Sequence, residues 1–160
     1  MSKPRPAQLD SPFVPRIMKI MSRANTWVYR ATGGLVGSRW RVGSAFPRGV
    51  PVCLLTTRGR RSGQRRTAPV LYLADGERVV LVASQGGLPR HPSWYFNITA
   101  DPAVTVQIRR TVHRMRARVA DESERADLWP RLLRMYADFD TYQSWTDRQI
   151  PVVICEPRDQ

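Results

Sequence analysis

Two apolar runs, Val50–Leu55 and Ala68–Leu73, flank the turn Thr56-Thr57-Arg58-Gly59-Arg60-Arg61-Ser62-Gly63-Gln64-Arg65-Arg66. Short apolar runs on either side of a Gly- and Ser-containing turn predict a β-hairpin. The turn carries five arginines and no acid. Arginine presents a planar fork of donors that matches phosphate or carboxylate. Glycine lets backbone N–H groups approach a bound anion. The turn therefore reads either as a small anion cradle between two strands or as a solvated basic turn that keeps the hairpin soluble.

The rest of the chain continues this β pattern. Asp75-Gly76-Glu77 is a turn into a third strand, Arg78–Ser84, and Gln85–Pro92 is irregular. Ser93–Ala100 predicts a short helix closed by Asp101-Pro102. Ala103–Arg109 and Val112–Ala120 predict a second hairpin. Asp121 with Glu124 fits a capping box for a helix from Glu122, which Pro130 should kink or restart. Ile150–Ile154 is a last strand. Five or six strands with a few short helices predict a mainly β (α+β) fold, a closed or split β-barrel, over residues 50–160. A chain of 160 residues is one domain's worth, roughly 100–200 being usual.

Ahead of the barrel, residues 1–15 read as a mobile tail and 16–49 as a helix followed by a Gly- and Arg-rich loop. Ile17, Ile20, Met21, Ala24, Trp27 and Val28 recur at helical spacing, with Arg16, Lys19, Arg23 and Arg30 beside them and no acid. Packing of the apolar side on the barrel is the expectation. The alternative is that the helix lies on an anionic membrane, apolar side down.

Lys+Arg 26 against Asp+Glu 13 gives a formal charge of +13, which predicts attraction to anions. Nearly all of that charge is arginine, a bias that also follows genome composition and so argues little for nucleic acid. Cys53 and Cys155 lack metal spacing and read as free thiols in a reducing, cytoplasmic setting. No apolar run is long enough to span a bilayer, and no signal pattern opens the chain. His91 and His113 fit no metal site. Ser84 and Ser93 have no evident His and acid partners, which argues against a self-contained hydrolase. If the chain is an enzyme, a cofactor carries the difficult step. Tyr136, Phe139, Tyr142 and Trp145 recur every three residues and would share one side of a helix, either as core or as a lid over a flat ring, with Trp94 and Tyr95 opposite.

Four separated motifs occur in order: Thr57-Arg58-Gly59-Arg60-Arg61-Ser62-Gly63-Gln64; Pro69 and Ser84; His91-Pro92-Ser93-Trp94-Tyr95-Phe96-Asn97; and Tyr142-Gln143-Ser144-Trp145-Thr146-Asp147-Arg148-Gln149-Ile150-Pro151. This set resembles the deazaflavin-dependent nitroreductase and quinone reductase family of actinobacteria. The resemblance implies a split β-barrel of the flavin-reductase or pyridoxamine-phosphate-oxidase type. It also implies the reduced 8-hydroxy-5-deazaflavin coenzyme F-420, with its phosphodiester and oligoglutamate tail, as hydride donor to a quinone-like or nitroaromatic acceptor. By carry-over, Arg60, Arg61, Ser62, Gln64 and Arg66 would hold phosphate and tail. Pro69, Ala83, Trp94 and Asn97 would hold ring and linker, and Ser84, Tyr136 and Tyr142 would face the acceptor. Gln85 stands where relatives often carry Lys, and Leu71 and Phe139 stand where a nitroimidazole reducer carries Tyr. Barrels of this type often pair as homodimers. Two rivals stay open at this stage: a flavin-mononucleotide reductase of the same barrel class, and a non-catalytic cofactor- or nucleic-acid-binding module.

Overall fold

A computed structural model of the chain describes residues 4–7, 11–40 and 49–158. Parts of the expected tail (1–3, 8–10), part of the loop before the barrel (41–48) and residues 159–160 lie outside them. The elements are α1 (Val14–Thr32), β1 (Arg39–Trp40), β2 (Val50–Arg58), β3 (Arg65–Asp75), β4 (Arg78–Val82), α2 (Ser93–Ala100), β5 (Ala103–Ile108), β6 (Thr111–Val119), α3 (Glu122–Met135), α4 (Asp138–Ser144) and β7 (Val152–Pro157).

The sheet runs β1-β2-β3-β4-β7-β6-β5, and β2 also pairs with β5, so six strands close into an antiparallel barrel. The expected split β-barrel with short helices is therefore what forms. Alternation explains it. Cys53, Leu55, Val79, Leu81, Val104, Val106, Met115, Ala117, Val153 and Cys155 point inward, with Ile98 of α2 plugging one side. Val80, Val82, Val152 and Ile154 point the other way and are covered by Leu128, Leu132, Tyr136 and Phe139. Strands β4 and β7 are thus buried on both faces, which is why they read as continuous apolar runs. The two thiols sit inside the barrel, fully buried and unpaired. Burial pushes both up, Cys155 to about 12, so neither is a ready nucleophile.

Three expectations need correction. First, the apolar side of α1 does not pack on the barrel. The helix rests on Thr26 and Tyr29, and the Tyr29 hydroxyl contacts the Val52 and Gln107 carbonyls while accepting from the Arg109 N–H at 2.7 Å. Ile20, Met21 and Trp27 stay 67%, 61% and 72% exposed. One polar-tipped aromatic anchored in the barrel outweighs a face of six apolar residues because it alone finds buried hydrogen-bond partners. Secondly, α3 continues through Pro130. The missing N–H costs one backbone bond, and burial of Leu128 and Leu132 on either side holds both turns against the barrel. Asp121 and Glu124 form the expected capping box at its start. Thirdly, the three-residue aromatic stripe does not lie on one helix. The helix α3 ends at Met135, Tyr136 caps it, and α4 begins at Asp138.

Candidate functional site

The hairpin tip closes on itself through Gly59 N–H to the Gln64 carbonyl at 2.7 Å and Gly63 N–H to the Gly59 carbonyl at 2.8 Å. The Ser62 hydroxyl accepts from the Gln64 N–H at 3.2 Å. A Cβ on Gly59 would meet that hydroxyl at 2.8 Å, so only glycine lets the turn fold this tightly. Helix α2 abuts the turn. Asn97 is 4% exposed; its Oδ1 accepts from the Arg60 backbone N–H at 3.2 Å and from the Arg60 guanidinium at 3.4 Å. Its Nδ2 donates to the buried Thr57 hydroxyl at 3.0 Å. The Arg60 guanidinium also lies over the Phe96 ring, 5.0 Å from its centre. Arg66 pairs across the sheet with Thr57, hence on that same face. Among the described residues, no carboxylate pairs with Arg60, Arg61 or Arg66.

The second cluster comes from the break between α3 and α4. The Tyr136 and Tyr142 hydroxyls lie 3.0 Å apart. Tyr136 packs edge-on against Phe139 at 4.9 Å, and Tyr142 tilts against Trp145 at 5.6 Å. Burial raises the Tyr142 phenol above its ordinary range, so it stays a neutral donor near neutral pH. Phe139 is 2% exposed and belongs to the core. Ala83 and Ser84 are buried at the end of β4.

Between the clusters lies a group that the sequence did not single out. Arg148 donates to the carbonyls of Leu88 (3.0 Å), Ala83 (3.2 Å) and Ser84 (2.7 Å), and its Nη1 lies 2.9 Å from His91 Nδ1. His91 in turn packs against Tyr95 and the edge of Phe96. The contacts therefore run from the Arg60 guanidinium through Phe96, His91 and Arg148 to Ser84. Thr57, Phe96, His91 and Arg148 join the expected residues. Trp94 is half-buried, packing on the barrel core, and Pro69 pairs with Leu54 within the β2–β3 ladder. No sequence signal marks Arg148, because its partners are backbone carbonyls some sixty positions away. An open hollow of about 310 Å³ is lined by Thr57, Arg58, Gly63, Arg65, Asp101 and Arg158, so it reaches the turn from its other side. Arg58 and Arg65 face away from the Thr57–Arg66 side, and none of the aromatic or amide groups converges there.

A family model described as F420H(2)-dependent quinone reductase matches residues 21–157. A protein of Mycobacterium tuberculosis (strain ATCC 25618 / H37Rv), provisionally named F420H(2)-dependent quinone reductase Rv3178, is 47% identical over 118 residues, 74% of this chain and 99% of that relative. A solved F420-H2 dependent reductase, FDR-A, superposes with TM-score 0.62 at 41% identity, covering 66% of this chain and 94% of that one. A solved chain described as a domain-swapped dimer superposes with TM-score 0.64 at 34% identity, covering 86% and 97%.

Proposed function

The chain belongs to the F420H(2)-dependent quinone reductase family, and from that premise we propose that the Thr57–Arg66 turn holds the anionic part of the cofactor while Ser84 and Tyr142 face the quinone, with Tyr136 supporting Tyr142 from behind. The activity is reduction of a quinone with reduced coenzyme F-420 as donor. When bound, the reduced deazaflavin supplies a hydride from carbon. The protein's own residues bind, orient and protonate. Arg60, Arg61 and Arg66, with the Ser62 hydroxyl and Gln64, suit a phosphodiester and an oligoglutamate tail. Ala83, Trp94, Asn97 and Pro69 are assigned to ring and linker. The Tyr142 phenol is the candidate donor to the oxygen on which charge develops.

The observation that carries this reading is the unneutralised turn: Arg60 fixed on Asn97 and Phe96, with Arg61 and Arg66 beside it and no described carboxylate paired with any of the three. A nitroaromatic acceptor finds less support, since Leu71 has no hydroxyl and Phe139 is sealed in the core. The direct test is anaerobic turnover of menadione by purified protein with reduced coenzyme F-420. Oxidised cofactor should accumulate in step with quinol, and NADPH should not replace the donor, since no Gly-x-Gly-x-x-Gly turn occurs. Turnover with NADPH and no deazaflavin would defeat the assignment.

The exposed ridge of α1 supports a second element, docking on the inner face of an anionic membrane, where quinones reside. Among the described residues no helix is long and apolar enough to cross a membrane. Phe13, Ile17, Ile20, Met21 and Trp27 are all more than half exposed, and Arg16, Lys19, Arg23 and Arg30 flank them. Such residues gain about 1 kcal/mol per basic side chain at an anionic surface. Full-length protein is expected to float with phosphatidylglycerol vesicles at low salt. Ile20→Ser/Trp27→Ser should abolish flotation and keep menadione reduction in solution. A solved relative is described as a domain-swapped dimer, and the competing use of the ridge is pairing of two copies of this chain. Failure to float, with a dimer in sedimentation that the same double variant dissociates, would replace membrane by partner.

A further inference from the structure

The segment between β4 and α2 is held in an unfavourable backbone conformation. Gln85 has φ 45°, and Gly86 and Gly87 follow at 62° and 77°. A non-glycine residue at positive φ is strained and persists only where its surroundings determine it. Two contacts do so here. Gly87 is pressed against the α4 end so closely that a Cβ would meet the Tyr142 carbonyl oxygen at 2.8 Å and its Cα at 3.0 Å. The other contact is Arg148, whose guanidinium spends its donors on the carbonyls of Ala83, Ser84 and Leu88 and on His91. Arg148 is itself fixed at its base, because its carbonyl accepts from Gln143 Nε2 at 2.8 Å and Gln143 Oε1 accepts from the Ile150 N–H at 2.9 Å.

We propose that Arg148 is a positioning residue that pins Ala83 and Ser84 against the end of α4, and that His91 is the acid-sensitive side of this pin. Arginine can only donate, so His91 Nδ1 accepts and the imidazole is neutral, with its proton on Nε2. Protonation would turn Nδ1 into a donor and set two cations 2.9 Å apart. Among the described residues, the titratable and charged groups that face His91 are Arg148 from the segment after α4, Tyr95 from α2, and Arg60 across the Phe96 ring, with Arg90 its exposed loop neighbour. None of them is a carboxylate that would favour the imidazolium. Burial, and then Arg148, lowers the His91 pKa below its ordinary value. The pin therefore holds at neutral pH and opens as pH falls through that lowered value. The inference rests on the assignment of Ala83 and Ser84 to the hydride-transfer site, but its structural half can be read without turnover.

The readout is amide exchange at Gly87 and Leu88, whose N–H groups bond the Ser84 and Gln85 carbonyls at 3.0 and 3.3 Å. In Arg148→Met these two amides should exchange at least roughly tenfold faster than in the wild type, while β4 amides keep their protection. The kcat on menadione should fall at least roughly tenfold, and Arg148→Lys should recover part of it. His91→Gln offers an acceptor that does not titrate. It should flatten the loss of kcat expected of the wild type as pH falls below neutral. Unchanged exchange at Gly87 and Leu88 in Arg148→Met overturns the pin, whatever the activity. Faster exchange with full kcat overturns its part in the reaction. If Arg148→Met loses β4 protection as well, His91→Gln decides: an acid limb identical to the wild type's overturns the inference. Absence of deazaflavin-dependent turnover in the wild type defeats the functional reading and leaves exchange to judge the pin.

Discussion

Arg60→Ala is expected to weaken binding of coenzyme F-420 by about 1.5–3 kcal/mol, the range for hydrogen bonds to charged groups. Arg60→Ala/Arg61→Ala should weaken it further. Arg60 should dominate because it alone is preorganised. Its backbone N–H and its guanidinium both bond Asn97 Oδ1, and the guanidinium rests on Phe96. A cation already fixed in place loses less conformational entropy when an anion arrives. Arg61 is exposed, with no such support, so its contribution should be mostly long-range and should fade with added salt. Arg60→Lys keeps the charge and loses the fork, and should recover only part of the affinity. Titration of cofactor fluorescence at low and high salt measures all four proteins. Unchanged affinity in the double variant at both salts would show that the cradle binds something else. Asn97→Ala tests the support itself. It leaves the buried Thr57 hydroxyl and the Arg60 N–H without partners, so it should lower both cofactor affinity and melting temperature.

What the sequence made legible follows the reach of each interaction. The hairpins, helix α2 and the Asp121–Glu124 cap are local, written in period-two alternation, turn residues and a three-residue spacing, and they stand where those patterns put them. The direction of α1 was not legible. An apolar face reports a need for cover but not what covers it, and nothing in the sequence marks Tyr29, whose hydroxyl meets Val52, Gln107 and Arg109 only in the fold. The short β1 strand was hidden in a Gly- and Arg-rich stretch, since two residues paired with Val50 and Pro51 leave no periodicity. The tyrosines at 136 and 142 could be placed near each other by spacing, but the break between helices at Tyr136–Ala137 that brings their hydroxyls together could not. Arg148 lies inside the Tyr142–Pro151 motif with no role that the sequence could assign, because carbonyl partners have no sequence identity. Family likeness supplied the cofactor; the unneutralised turn and the pinned segment come from the fold.

Tyr142→Phe is expected to lower kcat on menadione at least roughly tenfold, with cofactor affinity nearly unchanged. Reducing a quinone takes a hydride and then a proton, and negative charge builds on the quinone oxygen between the two. A donor aimed at that charge can be worth about 2.7–4 kcal/mol. The Tyr142 phenol suits the role of hydrogen-bond donor because burial raises its pKa, which keeps the proton on oxygen at neutral pH. Tyr136 stands behind it. Its hydroxyl is 3.0 Å from that of Tyr142, so it can donate to Tyr142 and leave the Tyr142 proton free to point at substrate. A relay of two phenols predicts unequal effects: Tyr142→Phe removes the donor, Tyr136→Phe removes only its support. The second variant should lose less kcat, and the double variant should lose little beyond Tyr142→Phe alone, since the rear hydroxyl acts through the front one. Both substitutions keep the rings, so the packing against Phe139 and Trp145 survives and melting temperature serves as a control. Tyr142→Phe with full kcat would make Tyr142 a wall, and the proton would then come from water.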